Sequence, residues 1–326
     1  MESAAIFFPQ RQRRLDSLMQ DVLVVIEFSH WLLPGQFQRP PSAMGSGLMS
    51  SRVPTRSLRN GAEIPVLGLG TWPLRGDQAA AQVRTAIEAG YRLIDTAENY
   101  RNEESVGQGI RDSGIERSEL FVTTKFDREW HSLEGVRRAY EASVKRLGID
   151  YIDLLMIHWP NPSKSNYVDA IRGLQAVLDD GGIRAVGTSN FKPTHLQRVL
   201  DATGIVPDVN QIQLSPYTTR DASRTYHAAH GIVTESWTPI GGSRSELRHD
   251  PVIRAIADAH GKSPTQIVLR WHIQLGLVAI PRSSNPARIA ENIDIFDFEP
   301  NEREMSAITA LDRGETGILD SDIFGH

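Results

Sequence analysis

The sequence contains no cysteine, which excludes disulfide bonds, thiolate metal ligands and cysteine nucleophiles. It also has no run of about 20 apolar residues, the length that a membrane-spanning helix needs. The nearest candidate, residues 22–34, is interrupted by Glu27, His30 and Pro34. We therefore expect no membrane partner, and the lack of cysteine fits a reducing compartment such as the cytoplasm.

Clustered basic charge is missing as well. The formal net charge is -5 and the pI is near 6.1, and lysine and arginine are scattered rather than gathered in a patch. Proteins that bind nucleic acid or an anionic membrane surface normally present a concentrated basic face. The charge pattern therefore argues against a nucleic-acid partner. With 40% apolar and 23% charged residues, the composition is typical of a globular protein with a full core.

The start of the chain differs in character from the rest. RQRR at 11–14 precedes an apolar stretch and resembles the start of a secretory signal, but acidic residues intervene and no small-residue cleavage site follows at once. Residues 39–54 are rich in proline, serine and glycine, which is typical of a linker. We therefore expect residues 1–52 to be a disordered extension, or one that is not part of the native protein, and residues 53–326 to form the folded domain.

From about residue 53, eight short apolar segments of strand character alternate with helical patterns. The segments are 66–71, 91–96, 120–125, 152–158, 183–189, 208–214, 231–237 and 276–282. Eight strands alternating with helices over about 250 residues are typical of a (β/α)8 TIM barrel, an α/β fold. Ahead of them, Asn60-Gly61 lies between two short alternating runs and predicts a β-hairpin. The fold expected is a barrel with this hairpin across its bottom.

Three helical patterns carry clear end signals. Ser263, Pro264 and Gln266 stand where an N-cap, a first-turn proline and a capping box belong. Gly90 and Gly148 each follow a helical pattern, in the position that commonly ends a helix.

A doubly wound parallel sheet is the alternative fold. It normally has a glycine-rich turn after its first strand. In GLGTWP, residues 68–73, Pro73 stands where the third glycine belongs, and GSGLMS at 45–50 follows no strand. The barrel is therefore favoured.

Polar residues stand at the ends of successive strands. The second strand ends at Asp95, with Tyr100 in the loop behind it, the third ends at Lys125 and the fourth at His158. Each alone could be a helix cap, a packed ring or a solvated chain end. Together they would meet at one rim of the barrel, because parallel strands bring their carboxyl ends to the same side.

The four residues suit proton transfer. A tyrosine hydroxyl has a pKa near 10 and is a poor donor at neutral pH. A neighbouring ammonium lowers that pKa, a carboxylate can hold the ammonium, and a histidine can orient or polarise a bound oxygen. The set could give a proton to a carbonyl oxygen or take one from an alcohol. No metal site is predicted, because HExxH is absent and the ten histidines show no ligand-like spacing.

LIDTAENYRNEESVG, DLLMIHWP and IPRSSNPARIAEN resemble three diagnostic stretches of the aldo-keto reductase family. The similarity runs from about residue 54 to 313 and is strongest with the bacterial branch that includes 2,5-diketo-D-gluconate reductase. It implies NADPH-dependent reduction of an aldehyde or ketone by hydride transfer. It also implies that Tyr100 is the general acid, that Lys125 lowers its pKa, that Asp95 anchors Lys125, and that His158 orients the carbonyl.

The resemblance implies a second set of residues, which would hold the cofactor NADPH/NADP+. These are Ser189, Asn190 and Gln211 at the nicotinamide amide, Trp237 on its ring, Arg282, Ser283 and Arg288 at the 2′-phosphate, and Glu291 and Asn292 at the adenine. Many relatives have lysine where Arg282 stands. Many also read Leu-Trp-Asn after the lysine, whereas Phe126-Asp127 follows here, so the substrate pocket is expected to differ.

The predicted pocket residues are aromatic. They are Trp72, Trp130, His131 and Trp159, which suit apolar or sugar-like carbonyl compounds such as diketo-sugars and α-dicarbonyls. The final segment, RGETGILDSDIFGH, is long enough only for a small lid, and the family default is a monomer. An NADPH-binding regulatory or scaffold protein that retains the fold is the alternative function. A metal-dependent lyase is a weaker one.

Overall fold

The computed structural model describes residues 53–163, 166–242 and 244–326. The strands are β1 (Thr55–Ser57), β2 (Glu63–Pro65), β3 (Gly68–Gly70), β4 (Leu93–Asp95), β5 (Phe121–Phe126), β6 (Ile152–Ile157), β7 (Ile183–Ser189), β8 (Val209–Gln213), β9 (Val233–Trp237) and β10 (Val278–Ile280). The helices are α1 (Gly76–Glu88), α2 (Glu103–Asp112), α3 (Leu133–Leu147), α4 (Tyr167–Asp179), α5 (Pro193–Thr203), α6 (Asp221–His230), α7 (Pro251–His260), α8 (Pro264–Gln274), α9 (Pro286–Ile293) and α10 (Glu302–Thr309). The predicted extension, residues 1–52, lies outside the described residues and stays a prediction.

Strands β3 to β10 form one parallel sheet in sequence order, and the sheet closes on itself. The amide of Ala279 donates to the carbonyl of Val66 at 2.9 Å, and the amide of Gly70 donates to the carbonyl of Pro281 at 3.0 Å. These bonds join the first barrel strand to the last. Seven of the eight predicted segments contain one of these strands, and the segment 120–125 matches β5 except that the strand continues to Phe126. The predicted (β/α)8 barrel is therefore confirmed.

Apolar side chains fill the lower part of the barrel. Strands β5 and β6 are buried along their whole length, as expected of parallel strands that are covered on both faces. The cluster inside the barrel consists of Leu58, Ile64, Leu93, Phe121, Leu154, Met156, Ala185, Val209, Val233, Val278 and Ile280. A larger cluster lies between the sheet and the surrounding helices. Polar groups are therefore gathered at the other end, where the strands finish.

The predicted hairpin is confirmed, and it closes the bottom of the barrel. Strands β1 and β2 pair in antiparallel fashion, and Gly61 between them has φ +85°, a conformation that favours glycine. Asn60 Nδ2 donates to the carbonyl of Arg184 at 2.5 Å, and Arg59 donates to the carbonyl of His230 at 3.2 Å. Arg184 lies at the amino end of β7, and His230 ends α6 just before β9 begins. The hairpin therefore covers the end opposite to the strand carboxyl ends.

The predicted helix end signals are confirmed. Ser263 Oγ accepts from the amide of Gln266 at 3.3 Å, and Gln266 Oε1 accepts from the amide of Ser263 at 2.9 Å, which completes a capping box. Gly148 follows α3 with φ +63° and Gly90 follows α1 with φ +106°. Within the described ranges, no helix combines the length and apolar character needed to cross a membrane.

Candidate active site

A cavity of about 750 Å³ opens at the carboxyl ends of the barrel strands. Of the predicted site residues, those that line it are Trp72, Asp95, Tyr100, His158, Trp159, Ser189, Asn190, Gln211, Trp237, Arg282, Ser283, Arg288, Glu291 and Asn292. Its size is in the range usual for small-molecule sites. Positions spread over some 220 residues of sequence thus meet around one cavity. This was predicted, because the carboxyl ends of parallel barrel strands lie at the same rim.

An ion pair lies beneath the cavity. The Lys125 side chain is fully buried, and its Nζ donates to Asp95 Oδ1 at 2.7 Å, to Asp95 Oδ2 at 2.8 Å and to the carbonyl of Thr96 at 3.0 Å. Asp95 Oδ2 also accepts from Gln211 Nε2 at 2.8 Å. Burial acts to lower the pKa of Lys125, but Asp95, Tyr100 and Glu235 together outweigh it, and the pKa is raised. Lys125 is therefore a fixed positive charge at neutral pH.

Tyr100 lies next to this charge. It ends a short 3-10 helix, Glu98–Tyr100, whose last carbonyl accepts from Arg75 Nε at 3.1 Å, and Lys125 Nζ lies 5.5 Å from the centre of its ring. Burial raises the pKa of Tyr100, and Lys125 acts in the opposite direction. The net pKa is above the ordinary value of 10.0, because burial outweighs the predicted lowering by Lys125. The sequence did not reveal how deeply the Tyr100 hydroxyl is buried.

His158 is paired with an acid that the sequence analysis did not assign to the site. Its Nδ1 lies 3.1 Å from Asp127 Oδ1, and its ring lies edge-on to that of Tyr100 with 5.9 Å between centroids. Burial, helped by Lys125, lowers the pKa of His158 well below its usual value, so the ring is neutral. A carboxylate beside Nδ1 holds the ring proton on that nitrogen. Nε2 is then a hydrogen-bond acceptor.

A second buried acid stands in β9. Glu235 is completely buried inside the barrel, close to Asp95 and Lys125. Burial and the charge of Asp95 raise the pKa of Glu235 to about 8, with Lys125 acting in the opposite direction. Glu235 is therefore mostly protonated at neutral pH. It adds little negative charge to the neighbouring Lys125–Asp95 ion pair.

The residues predicted at the nicotinamide form a bonded row at the ends of β7 and β9. Asn190 has φ +64°, a conformation that asparagine tolerates better than most residues. Its Nδ2 donates to the carbonyl of His158 at 3.1 Å and to Ser189 Oγ at 3.0 Å. Its Oδ1 accepts from Trp237 Nε1 at 2.9 Å. The row holds the Trp237 ring in place on the cavity wall.

Three arginines, Arg282, Arg288 and Arg248, line the cavity. None of the three forms an ion pair with a carboxylate of the described residues. The guanidinium of Arg282 lies 5.0 Å from the centre of the Trp72 ring, and Arg248 Nε is buried without a hydrogen-bond partner among the described residues. Cations that lack an acidic partner around one cavity suit an anionic ligand such as a phosphate.

The predicted pocket residues divide into two groups. Trp72 and Trp159 line the cavity, and the Trp159 ring packs against Phe324 of the C-terminal tail with 4.9 Å between centroids. Trp130 and His131 do not line it. Trp130 Nε1 instead donates to Glu98 Oε2 at 2.8 Å, and His131 is buried against Phe126. The segment after β5 therefore brings Asp127 to the site, whereas Trp130 and His131 point elsewhere.

Several residues around the cavity were missed by sequence reasoning. They are Asp127, Asn99, Glu235, Arg248 and His326. Asp127 follows directly after β5, so the strand-end rule could have found it. Glu235 lies in the middle of β9, between Thr234 and Ser236, so a search of strand ends does not reach it. His326 comes from a tail whose path depends on tertiary contacts.

A model of the Aldo/keto reductase family matches residues 66–313. The chain belongs to this family. It is therefore an oxidoreductase that acts on carbonyl groups, and the family prediction made from the three sequence stretches is confirmed. The match covers the barrel from its first strand to the helix after its last.

Named relatives agree with this assignment. The chain is 43% identical to 2,5-diketo-D-gluconic acid reductase B of Corynebacterium sp. (strain SHS752001), over 83% of this chain and 97% of that protein. It is 42% identical to methylglyoxal reductase DkgA of Escherichia coli (strain K12), over 82% of this chain and 97% of that protein. The crystal structure of a Bombyx mori aldo-keto reductase in complex with NADP has a TM-score of 0.76 at 37% identity, and the match covers 81% and 94% of the two chains.

Proposed function

We propose that this reductase uses NADPH to reduce aldehydes and ketones to alcohols, and that α-dicarbonyl compounds and diketo-sugars are its substrate class. The observation that carries the proposal is the buried Lys125, paired with Asp95 at 2.7 Å and placed 5.5 Å from the centre of the Tyr100 ring at the cavity floor. Residues 53–326 contain every group that the proposal needs.

The cavity residues fit NADPH. Ser189, Asn190 and Gln211 would hold the nicotinamide amide, and Trp237 would lie against its ring. Arg282, Ser283 and Arg288 would bind the 2′-phosphate, with Glu291 and Asn292 at the adenine. Arg282 and Arg288 have no carboxylate partner, which supports placing the 2′-phosphate of the dinucleotide beside them. Relatives support the cofactor, since a similar solved structure is a complex with NADP. When bound, NADPH supplies a hydride to the carbonyl carbon.

The protein's own part in the reaction is to supply a proton. Tyr100, protonated at neutral pH, would donate its hydroxyl proton to the carbonyl oxygen as negative charge develops there. The phenolate left behind would be stabilised by the Lys125 ammonium, which Asp95 holds in place. His158, held by Asp127, would border the substrate and orient it through Nε2. Burial excludes water from this set and strengthens each of these interactions.

Aromatic and apolar walls shape the substrate end of the cavity. Trp72, Trp159, Leu319 and Phe324 line it, and Asn99 adds an amide oxygen that is buried without a partner among the described residues. A small carbonyl compound that also carries a hydroxyl, such as a keto-sugar, would fill such a site, because the apolar walls accept its carbon chain and Asn99 Oδ1 can accept from the hydroxyl. The names of the relatives, which are reductases of 2,5-diketo-D-gluconic acid and methylglyoxal, point to the same class.

The direct test is the oxidation of NADPH by the full chain with a panel of α-dicarbonyls, keto-sugars and simple aldehydes. We expect turnover, with higher kcat/KM for dicarbonyls than for aldehydes of similar size. If the chain bound NADPH tightly and reduced no member of the panel, the reductase proposal would fail. A regulatory protein that retains the fold would then be the better account.

The cofactor contacts have their own test. In Arg288→Ala, we expect KM for NADPH to rise by about tenfold or more, since a charged hydrogen bond contributes roughly 1.5–3 kcal/mol. KM for NADH should change little, because NADH has no 2′-phosphate. Arg303→Ala, an exposed arginine on α10, is the matched control and should leave both values unchanged. Equal effects on the two cofactors would contradict the assignment.

A further inference from the structure

Three possible metal ligands meet beside the substrate end of the cavity. Asp127 follows β5, His158 follows β6, and His326 belongs to the C-terminal tail. Asp127 Oδ1 lies 3.1 Å from His158 Nδ1 and 3.7 Å from His326 Nε2, and one donor atom from each of the three residues lies within 4.8 Å of the others. The two imidazole rings are perpendicular, with 4.8 Å between their centroids.

The tail that carries His326 is held by polar contacts of other tail residues and of the His326 backbone. Lys192 Nζ donates to Asp320 at 2.6 Å and to Asp322 at 2.5 Å, and His195 Nε2 lies 2.7 Å from Asp322. The carbonyl of His326 accepts from the backbone amide of Arg128 at 3.3 Å. The imidazole is therefore brought to the cluster by the tail as a whole, and none of these contacts uses its Nε2.

His326 Nε2 is poorly satisfied where it lies. The side chain is 43% exposed, but Nε2 itself is shielded from solvent and has no hydrogen-bond partner among the described residues. The 3.7 Å separation from Asp127 Oδ1 is too long for a hydrogen bond. A shielded nitrogen without a partner costs free energy, which a bound cation would recover.

The spacing suits a transition-metal ion. Zinc binds imidazole nitrogen and carboxylate oxygen at about 2.0–2.2 Å, so tetrahedral ligands lie about 3.4 Å apart. The observed 3.1 and 3.7 Å separations lie on either side of that value. We propose that Asp127, His158 and His326 form a binding site for a divalent transition-metal ion such as Zn²⁺, with a fourth coordination position left for water. Two imidazoles and one carboxylate are a common ligand set for such ions.

Metal binding would alter His158. Without an ion, Asp127 holds the ring proton on Nδ1. An ion that takes the lone pair of Nδ1 requires the proton to be on Nε2, so His158 becomes a donor towards the cavity. The ion would also tie the tail to the ends of β5 and β6. These effects do not depend on the proposed reductase activity, because binding can be measured without turnover.

The test is the calorimetric titration of the full chain, without an added histidine tag and freed of metal, with Zn²⁺ at neutral pH. We expect one tight site per chain. In His326→Gln and in Asp127→Asn the affinity should fall by about tenfold or more, since even an outer-shell change costs roughly 10–100-fold. His230→Gln, at the opposite end of the barrel, is the matched control and should bind as the wild type does.

A second measurement keeps the proposal falsifiable if a variant misfolds. Co²⁺ in a four-coordinate site absorbs visible light strongly, whereas six-coordinate Co²⁺ does not. The wild-type chain should develop this band in proportion to the ion bound, and Zn²⁺ should remove it. Absence of saturable binding in the wild type would overturn the proposal. So would binding to a well-folded His326→Gln variant with unchanged affinity.

Discussion

Burial and charge act in opposite directions on the Tyr100 hydroxyl. Burial raises its pKa, and Lys125 at 5.5 Å from the ring lowers it, but burial prevails. Tyr100 is therefore protonated throughout the neutral range, which suits a proton donor. In the proposed mechanism the Lys125 ammonium would matter more after the proton has left Tyr100, because it would then stabilise the phenolate.

This balance predicts a pH profile. In the proposed mechanism reduction uses protonated Tyr100, so kcat should be nearly constant between about pH 6 and about pH 9, below the ordinary tyrosine pKa of about 10. Oxidation of the corresponding alcohol uses the phenolate, so its rate should rise with pH over the same range. The measurement is kcat in both directions at saturating cofactor. A reduction rate that falls through neutral pH would mean that the Tyr100 pKa is lowered in the complex.

Glu235 gives a prediction on stability. Its pKa is about 8 in the folded protein and near 4.5 in the unfolded chain, so the folded state binds its proton more tightly between these values. The stabilisation from this proton is complete below about pH 4.5 and is lost as the pH rises towards 8. Glu235→Gln stays neutral and avoids that loss. The free energy of unfolding of the variant, relative to wild type, should therefore be greater at pH 8 than at pH 5.

Urea unfolding at the two pH values measures this difference. Glu141→Gln, an exposed acid on α3, is the matched control and should show the same difference from wild type at both pH values. If Glu235→Gln also behaved in that way, Glu235 would be ionised in the folded protein at neutral pH.

At the level of elements, local sequence was sufficient for the barrel strands and for the best-marked helix ends. Parallel strands covered on both faces need continuous apolar runs, and such runs are visible without knowledge of the fold. The capping box at Ser263 is equally local, because its two hydrogen bonds join residues three apart. The short 3-10 helices were not predicted. A helix of about three residues is too short to show a periodic pattern of apolar residues. The helix Glu98–Tyr100 also depends on contacts with other loops, such as the hydrogen bond from Arg75.

The capping box gives a prediction for α8. Ser263→Ala removes the acceptor for the Gln266 amide and should lower the free energy of unfolding by about 1 kcal/mol. Ser306→Ala is the matched control, because Ser306 is exposed within α10 and alanine is a better helix former. It should be neutral or slightly stabilising. The measurement is the free energy of unfolding in urea for wild type, Ser263→Ala and Ser306→Ala. Equal stability of the two variants would contradict the role given to Ser263.

At the level of the whole molecule, the barrel assembles residues that no local pattern connects. Asp95, Lys125 and His158 were predicted to lie together because each stands at the carboxyl end of a parallel strand, and these ends meet at one rim of the barrel. The same reasoning also led to Trp130 and His131, which turn away from the cavity, since the direction of a loop side chain depends on its tertiary neighbours. His326 could not be predicted at all. Its position follows from a tail fixed by Lys192 and His195 on a different helix.

Buried neutral histidines predict sensitivity to acid. Burial lowers the pKa of His227 to about 3 and that of His272 to about 4. Above about pH 6.5 neither state of the protein is protonated at these rings. As the pH falls below that value, the unfolded chain takes up protons that the folded chain does not. Each ring should then cost up to about 2 kcal/mol of stability by pH 5.

Urea unfolding at pH 7 and pH 5 measures this loss. His227→Gln should show a smaller loss than wild type whatever its stability at pH 7, whereas the exposed His249→Gln should show the full loss. An identical pH response in His227→Gln and wild type would mean that His227 is protonated in the folded protein.

The central claim is that Tyr100 delivers the proton, and Tyr100→Phe tests it most directly. The variant removes one hydroxyl and leaves the ring in place. We measure kcat with NADPH and a dicarbonyl substrate, and the Kd for NADPH, beside Tyr140→Phe as a control tyrosine on α3. The account predicts that kcat falls by roughly 10²–10⁴-fold while the Kd for NADPH changes little, and that the control behaves as wild type. A Tyr100→Phe variant that binds NADPH and keeps the wild-type kcat would contradict it.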